Sequence, residues 1–375
     1  MRIGVLKEIE ADNRVAILPE HLEHLRRLRL KVMIEKNAGL HAFVTDKMYI
    51  DSGAVISGRD EVIKKSDIIV SVNAPKEGTL KMIGKGKILI STINPLSNKE
   101  VTTILRDNHI TSFSLDLIPR ITRAQSMDVL SNMATIAGYK AVLNAASELP
   151  RFFPMFMTAA GTIKPARILV LGAGVAGLQS IATSRKLGAV VEVFDVRSAV
   201  KEEVKSLGGK FIEVEGATED KNAGGYAVEQ TEEFKQRQAQ LIHEHAAKSD
   251  AIICTAQIPG KKAPLLIRKE TVEAMTPGSV IVDLAASSGG NCELTENDET
   301  VTHNGVKVIG QSNYSSTMPV DASKMYGTNL INFSKLLFDD EGNFNINMED
   351  EIVKGTCLTY QGEVINERIK TILNI

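Results

Sequence analysis

Three glycines and one aspartate have the residue types and the spacing of a dinucleotide-binding site. Gly172, Gly174 and Gly177 form the pattern G-x-G-x-x-G, and Asp195 follows at the end of the next apolar run. In this pattern the first glycine permits a tight turn and the second lets a pyrophosphate approach the backbone. The third lets the following helix pack close to its strand, and the acid binds the ribose 2′-hydroxyl of the adenosine. The four residues therefore predict a dinucleotide site.

The residues around this motif occur in the order that such a site requires. The apolar run 168–171 is typical of a buried strand, and residues 175–187 predict a helix that ends at Gly188. The N-terminus of that helix offers free N–H groups and a positive dipole end to phosphate. Asp195 would repel a 2′-phosphate, which favours NAD over NADP, although the nearby Arg197 weakens that preference.

Composition excludes several classes of protein. The 375 residues suggest two domains, with 43% hydrophobic and 24% charged residues, as in ordinary globular proteins. A net charge of −2 lacks the basic excess of a nucleic-acid-binding protein. With three distant cysteines, we expect buried thiols in a reducing cytoplasm and no metal site. We recognise neither a signal peptide nor an apolar run long enough for direct membrane insertion. The histidines at positions 21, 24, 243 and 245 are predicted to lie on solvated helix faces.

Strands alternate with helices along the chain, which predicts an α/β fold with parallel sheets. We expect two Rossmann-like domains linked by long helices, one of which begins at Ala124. The N-terminal domain is predicted to be discontinuous, with residues 1–136 and 318–375, because residues 348–359 are interpreted as a hairpin-like tail that packs on it. The dinucleotide-binding domain is predicted at 137–317.

A long polar insertion, residues 215–233, interrupts the dinucleotide-binding domain. Gly225 and Tyr226 would form the tip of a mobile flap whose tyrosine covers a bound ligand. The alternative is a disordered surface loop, since long loops are usually either functional or disordered. The sequence leaves both interpretations open.

Several longer runs resemble one protein family. They are PRITRAQSMDVLSNMATIAGY (119–139), TAAGT-x-x-PARILVLGAGVAGLQ-x-IAT (158–183), DVR (195–197), AGGYA (223–227) and CTAQIPGK (254–261). The chain resembles the NAD(H)-binding component, domain I, of proton-translocating nicotinamide nucleotide transhydrogenase, which is related in fold to alanine dehydrogenase. The resemblance extends nearly from end to end. Since the sequence stops at Ile375 without a membrane segment, it resembles the split form with a separate α subunit.

The resemblance implies hydride transfer from NADH on this chain to NADP+ on a partner subunit, coupled to proton translocation through a transmembrane subunit. It also implies a homodimer, held at the inner membrane by those partners. The implied cofactor contacts are, at the nicotinamide end, Arg120, Gln125, Ser126, Met127, Asp128 and Ser131; at the pyrophosphate, Gly172, Gly174, Val175, Ala176 and Gly177; at the adenosine ribose, Asp195, Val196 and Arg197; and elsewhere Gly225, Tyr226, Gln238 and Gln257. At Gln257 a backbone contact is expected.

Three of these residues carry the predicted catalytic roles. Gln125 would hydrogen-bond the carboxamide or ribose of NADH and turn the ring outward, toward the partner. Arg120 and Asp128 would hold that loop as a charge pair. For Met127, packing in the core or in a dimer contact is the favoured interpretation, and a ligand contact is the alternative. The alternative for the loop is a polar helix cap, with Asp128 or Ser126 serving the first turn.

Two other functions stay open: an alanine dehydrogenase-like enzyme and a non-catalytic NAD(H)-binding module. An alanine dehydrogenase needs an arginine, a lysine and a histidine. The chain keeps Arg14, but Asn73 and Thr92 align with the lysine and the histidine. Neither replacement is a general acid or base near neutral pH. Hydride exchange between two nicotinamides consumes no proton at the reacting carbons, so these residues favour transhydrogenation.

Overall fold

The chain consists of two compact units in the computed structural model. Unit 1 is Met1–Met133 with Ser315–Ile375, and unit 2 is Ala134–Tyr314. Each unit contains a large sheet with parallel central strands, which confirms the predicted α/β fold. The structure describes residues 1–9, 11–214, 231–258, 260–339 and 343–374.

Unit 1 is an alternation of short strands and helices. In chain order they are β1 (Arg2–Val5), α1 (Leu22–Arg27), β2 (Lys31–Glu35), α2 (Asp46–Asp51), β3 (Val55–Ser57), α3 (Arg59–Lys65), β4 (Ile68–Asn73), α4 (Glu77–Ile83), β5 (Ile88–Thr92), α5 (Lys99–Asp107) and β6 (Thr111–Ser114). The helix α6 (Val129–Glu148) runs from unit 1 into unit 2 along the chain.

The sheet of unit 1 reverses its strand order beside β1. Six of its described strands are parallel and lie in the order β6-β5-β4-β1-β2-β3. The chain therefore builds outward from β1 in one direction and later from β4 in the other. Such a topological switch point forms a crevice at the carboxyl ends of the strands, where open α/β sheets bind ligands. The central strands are buried, as expected for β-branched apolar runs covered by helices on both faces.

Unit 2 repeats this plan. Its elements are β7 (Phe156–Thr158), β8 (Gly161–Ile163), β9 (Arg167–Leu171), α7 (Val175–Lys186), β10 (Val190–Phe194), α8 (Lys201–Ser206), β11 (Lys210–Ile212), α9 (Glu232–Ala246), β12 (Ala251–Cys254), α10 (Lys269–Glu273), β13 (Val280–Asp283), β14 (Thr300–His303) and β15 (Val306–Ile309). The described strands are ordered β11-β10-β9-β12-β13-β15-β14, with the switch point between β9 and β12. The strands β7 and β8 form a separate antiparallel hairpin.

The C-terminal segment returns to unit 1. It contains α11 (Pro319–Ser334), α12 (Glu351–Thr356), β16 (Cys357–Tyr360), β17 (Glu363–Val364) and α13 (Glu367–Leu373). As expected, this tail packs on the first unit, since β16 pairs antiparallel with β6. The predicted hairpin at 348–359 is wrong in its position: residues 351–356 are helical, and the hairpin is formed by β16 and β17. Asp350 caps α12 by accepting hydrogen bonds from two backbone N–H groups, so the local sequence favours a helix there.

The helix predicted to begin at Ala124 is divided. Residues Thr122–Met127 form a 3₁₀ helix, and α6 begins only at Val129. The break lies at Asp128, whose backbone is extended and whose side chain accepts hydrogen bonds from the N–H and hydroxyl of Ser131. An aspartate that bonds the third helical N–H ends one helix and starts another, which helical periodicity alone does not reveal.

Burial of the cysteines is confirmed, and one histidine prediction is wrong. All three cysteines are free and buried. His21 is also buried instead of solvated: its Nδ1 accepts a hydrogen bond from the Leu18 N–H, and burial lowers its pKa to about 4. Among the residues that the structure describes, no helix combines the length and apolar character needed to cross a bilayer.

Candidate functional site

The glycine motif forms the turn between β9 and α7, at the switch point of unit 2. Gly172 has a φ of +99°, a conformation that L side chains rarely adopt, and a Cβ there would lie 2.7 Å from Thr255 Oγ1. A Cβ on Gly177 would overlap the carbonyl oxygen of Gly172. By contrast, a Cβ on Gly174 would meet no atom of the described residues within 4 Å. The first and third glycines are thus required by the fold, and the second leaves open space.

The open space lies at the N-terminus of α7. Gly174 is the N-cap, and in the part of the chain that the structure describes no side chain caps the first turn, which comprises Val175, Ala176 and Gly177. N–H groups at the start of a twelve-residue helix, together with its dipole, fit a pyrophosphate. The helix is held from behind by α6, where Gly138 approaches Ala176 so closely that no Cβ would fit.

Asp195 lies beside this turn, at the end of β10. Its Oδ2 accepts a hydrogen bond of 2.7 Å from the Ala173 N–H. Arg197 donates to the same carboxylate from its backbone N–H, Nε and Nη2. The Asp195 side chain is only 6% exposed, so its acceptor positions are largely used within the protein. A ribose hydroxyl would therefore compete with Arg197 for this carboxylate. Val196 is half-buried and packs against the core of unit 2.

A network that the sequence analysis missed holds the neighbouring strand ends. Asn291 is fully buried, and its side chain accepts from the Ala256 N–H and donates to the Ala256 carbonyl. Asp283 in turn accepts from the Asn291 N–H. The signal was available, because Asp283 ends an apolar run just as Asp195 does. Gln257 donates its side-chain amide to the Leu284 carbonyl at 2.8 Å, so its side chain is already engaged.

Three further residues of unit 2 were predicted to contact the cofactor. Gln238 lies on α9 and is half-buried. Gly225 and Tyr226, the predicted flap, lie outside the described residues.

The predicted catalytic loop belongs to unit 1. Arg120, Gln125 and Ser126 are exposed, whereas Met127 is 7% exposed and lies in the hydrophobic core of that unit. Asn329 and Asn332 on α11 both donate to the Ser126 carbonyl, which anchors the loop.

The loop is further fixed by contacts that were not predicted in this form. Arg123 forms a bidentate pair with Asp350, and this pair raises the pKa of Arg123 and lowers that of Asp350. Asp128 bonds Ser131, as the helix-cap alternative expected. The charge pair of Arg120 with Asp128 stays a prediction.

Unit 1 also contains a buried polar cluster at its own switch point. Arg14 donates to Asp12 from Nε at 2.9 Å and from Nη2 at 2.5 Å, with both residues less than one tenth exposed. The Asn73 amide donates to Asp12 at 2.9 Å and to Glu8 at 3.0 Å. Glu8 also accepts from the backbone N–H groups of Val72 and Asn73. These groups join the carboxyl ends of β1 and β4.

Burial controls the ionisation of this cluster. Desolvation raises the pKa of Glu8 to about 7, against the lowering effect of its hydrogen bonds. Burial would also raise the pKa of Asp12, but the bonds and charge of Arg14 outweigh it and lower that pKa. Thr92 bonds the hydroxyl of Tyr326, which is fully buried. Neither Asn73 nor Thr92 is a proton carrier, yet Glu8 is a titratable group that the sequence analysis missed.

Comparisons with known proteins agree across the whole chain. Residues 4–137 match the family model "Alanine dehydrogenase/PNT, N-terminal domain", and residues 141–367 match the corresponding C-terminal domain. A Rhodospirillum rubrum protein, named as the first part of NAD(P) transhydrogenase subunit alpha, is 45% identical over 376 residues, covering 98% of both chains.

Solved structures give the same result for the fold. A transhydrogenase from Sinorhizobium meliloti matches with a TM-score of 0.89 and 41% identity, covering 97% of this chain and 100% of that one. An L-alanine dehydrogenase matches with a TM-score of 0.82 at 22% identity, covering 100% and 99% of the two chains. At that identity the second likeness concerns the fold alone.

Proposed function

The chain belongs to the alanine dehydrogenase/PNT family, and we propose that it is the NAD(H)-binding subunit of a proton-translocating transhydrogenase. The observation that carries the proposal is the glycine turn of unit 2, which leaves space at Gly174 in front of an uncapped helix N-terminus. The near-complete similarity to a chain named as the first part of a divided alpha subunit supports partner subunits that bind NADP(H) and cross the membrane. The chain would then be cytoplasmic and peripheral to the inner membrane.

Bound NADH would supply a hydride to NADP+ on the partner, and the chain's own residues bind and orient it. The first turn of α7 holds the pyrophosphate through backbone N–H groups. Asp195, with Val196 and Arg197 beside it, holds the adenosine ribose. Gln125 and its neighbours from Arg120 to Ser131 hold the nicotinamide end. Gly225, Tyr226, Gln238 and Gln257 remain proposed contacts from the family resemblance.

An amino-acid dehydrogenase is the less favoured function. Its acid–base chemistry would need proton carriers where Asn73 and Thr92 stand, and both bond other protein groups. Arg14, the group that would bind a substrate carboxylate, is paired with Asp12. We expect no NADH oxidation by pyruvate and ammonia. Robust activity in that assay without a partner chain would overturn the proposal.

The direct test combines the purified chain with an NADP(H)-binding partner domain and measures hydride transfer from NADH to an NADP+ analogue. Turnover supports the proposal, and NADH binding without turnover indicates a non-catalytic module. Gln125→Asn should reduce transfer at least about tenfold while the Kd for NADH changes less than about threefold, because the shorter amide misorients the ring. Gln240→Asn, on the exposed face of α9, is the matched control and should change neither. Equal losses of transfer and binding would make Gln125 a binding group only.

We also propose that the chain forms a homodimer through the β7–β8 hairpin. No other described strand pairs with this hairpin, and an isolated two-stranded hairpin is marginally stable in water. The large apolar side chains of the hairpin and of the segment just before it are 39–78% exposed: Phe152, Met155, Phe156, Met157 and Ile163. They present roughly 500 Å² of surface, a large part of the about 800 Å² per partner in a stable complex. Two identical hairpins can pair edge to edge about a two-fold axis, which favours a second copy as the occupant.

The oligomeric state tests this surface. Met157→Lys places a charge at the most exposed of these apolar side chains and should shift the mass in solution from dimer to monomer. Met82→Lys, at a position 50% exposed in unit 1, is the matched control and should leave the mass unchanged. A monomeric wild-type chain, or a Met157→Lys chain that remains dimeric, would exclude this interface.

A further inference from the structure

The side chain of Asn329 spans a break in the backbone beside the predicted catalytic loop. The 3₁₀ helix Thr122–Met127 and the helix α6 are separated by Asp128, whose backbone is extended. On one side of this break, Asn329 Nδ2 donates to the Ser126 carbonyl at 2.8 Å. On the other side, Asn329 Oδ1 accepts from Asn132 Nδ2 at 2.6 Å. One side chain of α11 therefore connects the 3₁₀ helix with the first turn of α6, and we call this connection the asparagine brace.

Burial gives the asparagine brace a defined geometry. Asn329 is only 2% exposed, so water has little access to its amide group. A carbonyl oxygen can accept only from the NH₂ end of an amide, which fixes the orientation of the Asn329 side chain. Asn332, half-buried on the next turn of α11, adds a second bond to the Ser126 carbonyl at 3.1 Å. Hydrogen-bonded networks of buried polar groups make the surrounding structure rigid.

The asparagine brace holds the backbone directly beside Gln125. Ala124 and Met127 lie in the hydrophobic core of unit 1, whereas Gln125 between them is exposed. Because these two neighbours are buried and the Ser126 carbonyl is held, the backbone at Gln125 has little freedom. The directions in which the Gln125 side chain can point are limited accordingly.

We propose that Asn329 is a positioning residue for hydride transfer, since the asparagine brace fixes the direction from which Gln125 contacts the nicotinamide end of NADH. This inference rests on the proposed function. Asn329 acts through the backbone of the loop, without touching the cofactor itself. A misplacement of about 1 Å can slow a reaction about a hundredfold, so the brace should affect the rate of transfer much more than the affinity for NADH.

Asn329→Leu tests this role, because leucine has nearly the shape of asparagine but neither donates nor accepts a hydrogen bond. The Ser126 carbonyl keeps its bond from Asn332, which favours folding of the variant. Hydride transfer is measured with NADH and the NADP(H)-binding partner domain both saturating, on chains that circular dichroism shows to be folded. We expect transfer about tenfold slower than in wild type, while the Kd for NADH changes less than about threefold. A purely structural role would lower stability without slowing transfer by the folded chain.

Asn108→Leu is the matched control. The Asn108 amide also donates to a backbone carbonyl at 2.8 Å, that of Ile104, but it lies before β6, whereas the catalytic loop follows that strand. This control should lose stability and retain hydride transfer. Asn329→Ser, whose side chain is too short to reach both partners, is the second test chain if Asn329→Leu does not fold, and it should show the same loss of transfer.

The results separate this inference from the proposed function. A wild-type chain that binds NADH but transfers no hydride refutes the proposed function and the role of Asn329 with it. If wild type transfers hydride and a folded Asn329 variant does so equally fast, only the role of Asn329 is refuted. Equal losses of transfer rate and NADH affinity, or the same loss of rate in Asn108→Leu, also overturn that role.

Discussion

The two units place very different chemistry at the same point of the same topology. In unit 2 the switch point between β9 and β12 carries a glycine turn, and none of the described residues fills the space at Gly174. In unit 1 the switch point between β1 and β4 carries Glu8, Asp12 and Arg14: Arg14 donates to Asp12, and both acids accept from the Asn73 amide. The fold offers a crevice in both units, and the residues after the first strand decide whether a ligand can enter.

The same contrast applies to the helices that follow. At the start of α7 no described side chain caps the N–H groups, an arrangement that suits an anion. At the start of α6 Asp128 already accepts a hydrogen bond from the Ser131 N–H. A helix N-terminus can thus bind a ligand only where no capping side chain already occupies its N–H groups.

The largest effect should come from adding a methyl group to the glycine turn. Gly177→Ala places a Cβ against the Gly172 carbonyl, so α7 must shift, and we expect both folding stability and NADH binding to be lost. Gly174→Ala is the matched variant: its Cβ meets no atom of the described residues, so the unfolding midpoint should stay near that of wild type. Its NADH affinity should fall about tenfold or more, because the methyl group would occupy the space proposed for the pyrophosphate. NADH binding is measured by fluorescence titration. If Gly174→Ala binds NADH as tightly as wild type, the pyrophosphate does not bind at this turn.

The buried carboxyl group of Glu8 in unit 1 should make the free energy of unfolding depend on pH. Because burial raises the pKa of Glu8 from 4.5 to about 7, the folded state binds this proton more tightly than the unfolded state does. Stability should therefore decline as the pH rises from about 4.5 to about 7, by roughly 3 kcal/mol from this group, and level off above.

Glu8→Gln removes that contribution while keeping the shape of the side chain. The difference in unfolding free energy between wild type and Glu8→Gln should thus change with pH over this window. His21, with a pKa lowered to about 4, acts in the opposite direction but is present in both proteins and cancels in the difference. Denaturant titrations at several pH values measure this difference in unfolding free energy. A difference that does not change with pH would mean that burial does not raise the pKa of Glu8.

Replacing the acid of unit 2 is expected to have a smaller effect, on cofactor binding. Asp195→Asn keeps the size of the side chain but weakens its pairing with Arg197 and the proposed bond to the ribose. NADH affinity should fall about tenfold, and discrimination against NADPH should weaken because the repelling charge is gone. Parallel titrations with both nucleotides check this. Unchanged preference for NADH would show that Asp195 serves only to hold the Ala173 N–H and Arg197.

The smallest effect concerns the capped helix. Asp128→Ala removes the acceptor for the Ser131 N–H and should lower the free energy of unfolding by about 1 kcal/mol. Asp128→Asn retains a capping oxygen and should recover most of that loss. If Asp128→Asn restores stability but not hydride transfer, the carboxylate has a role beyond the helix cap.

Local features of the fold were predictable because neighbouring residues produce them. The apolar strands β9 and β10, the glycine turn and the buried cysteines follow from short runs of residue types, and each appears where expected. The α/β class followed from the alternation of such runs. The break before α6 was equally local, but its aspartate was interpreted as part of a continuous helix.

By itself the sequence determined the fold class and the conformation of the glycine turn, since both depend on contacts between residues close in the chain. Only the tertiary structure decided how deeply the acidic side chains are buried and which hydrogen-bond donors contact them. The Asp195 carboxylate accepts a hydrogen bond from the Ala173 N–H, 22 positions away, and Glu8 lies buried against Val72 and Asn73, more than sixty positions away. Burial and distant donors set the pKa and the free acceptors of a carboxylate, and neither can be read from its neighbours in the chain.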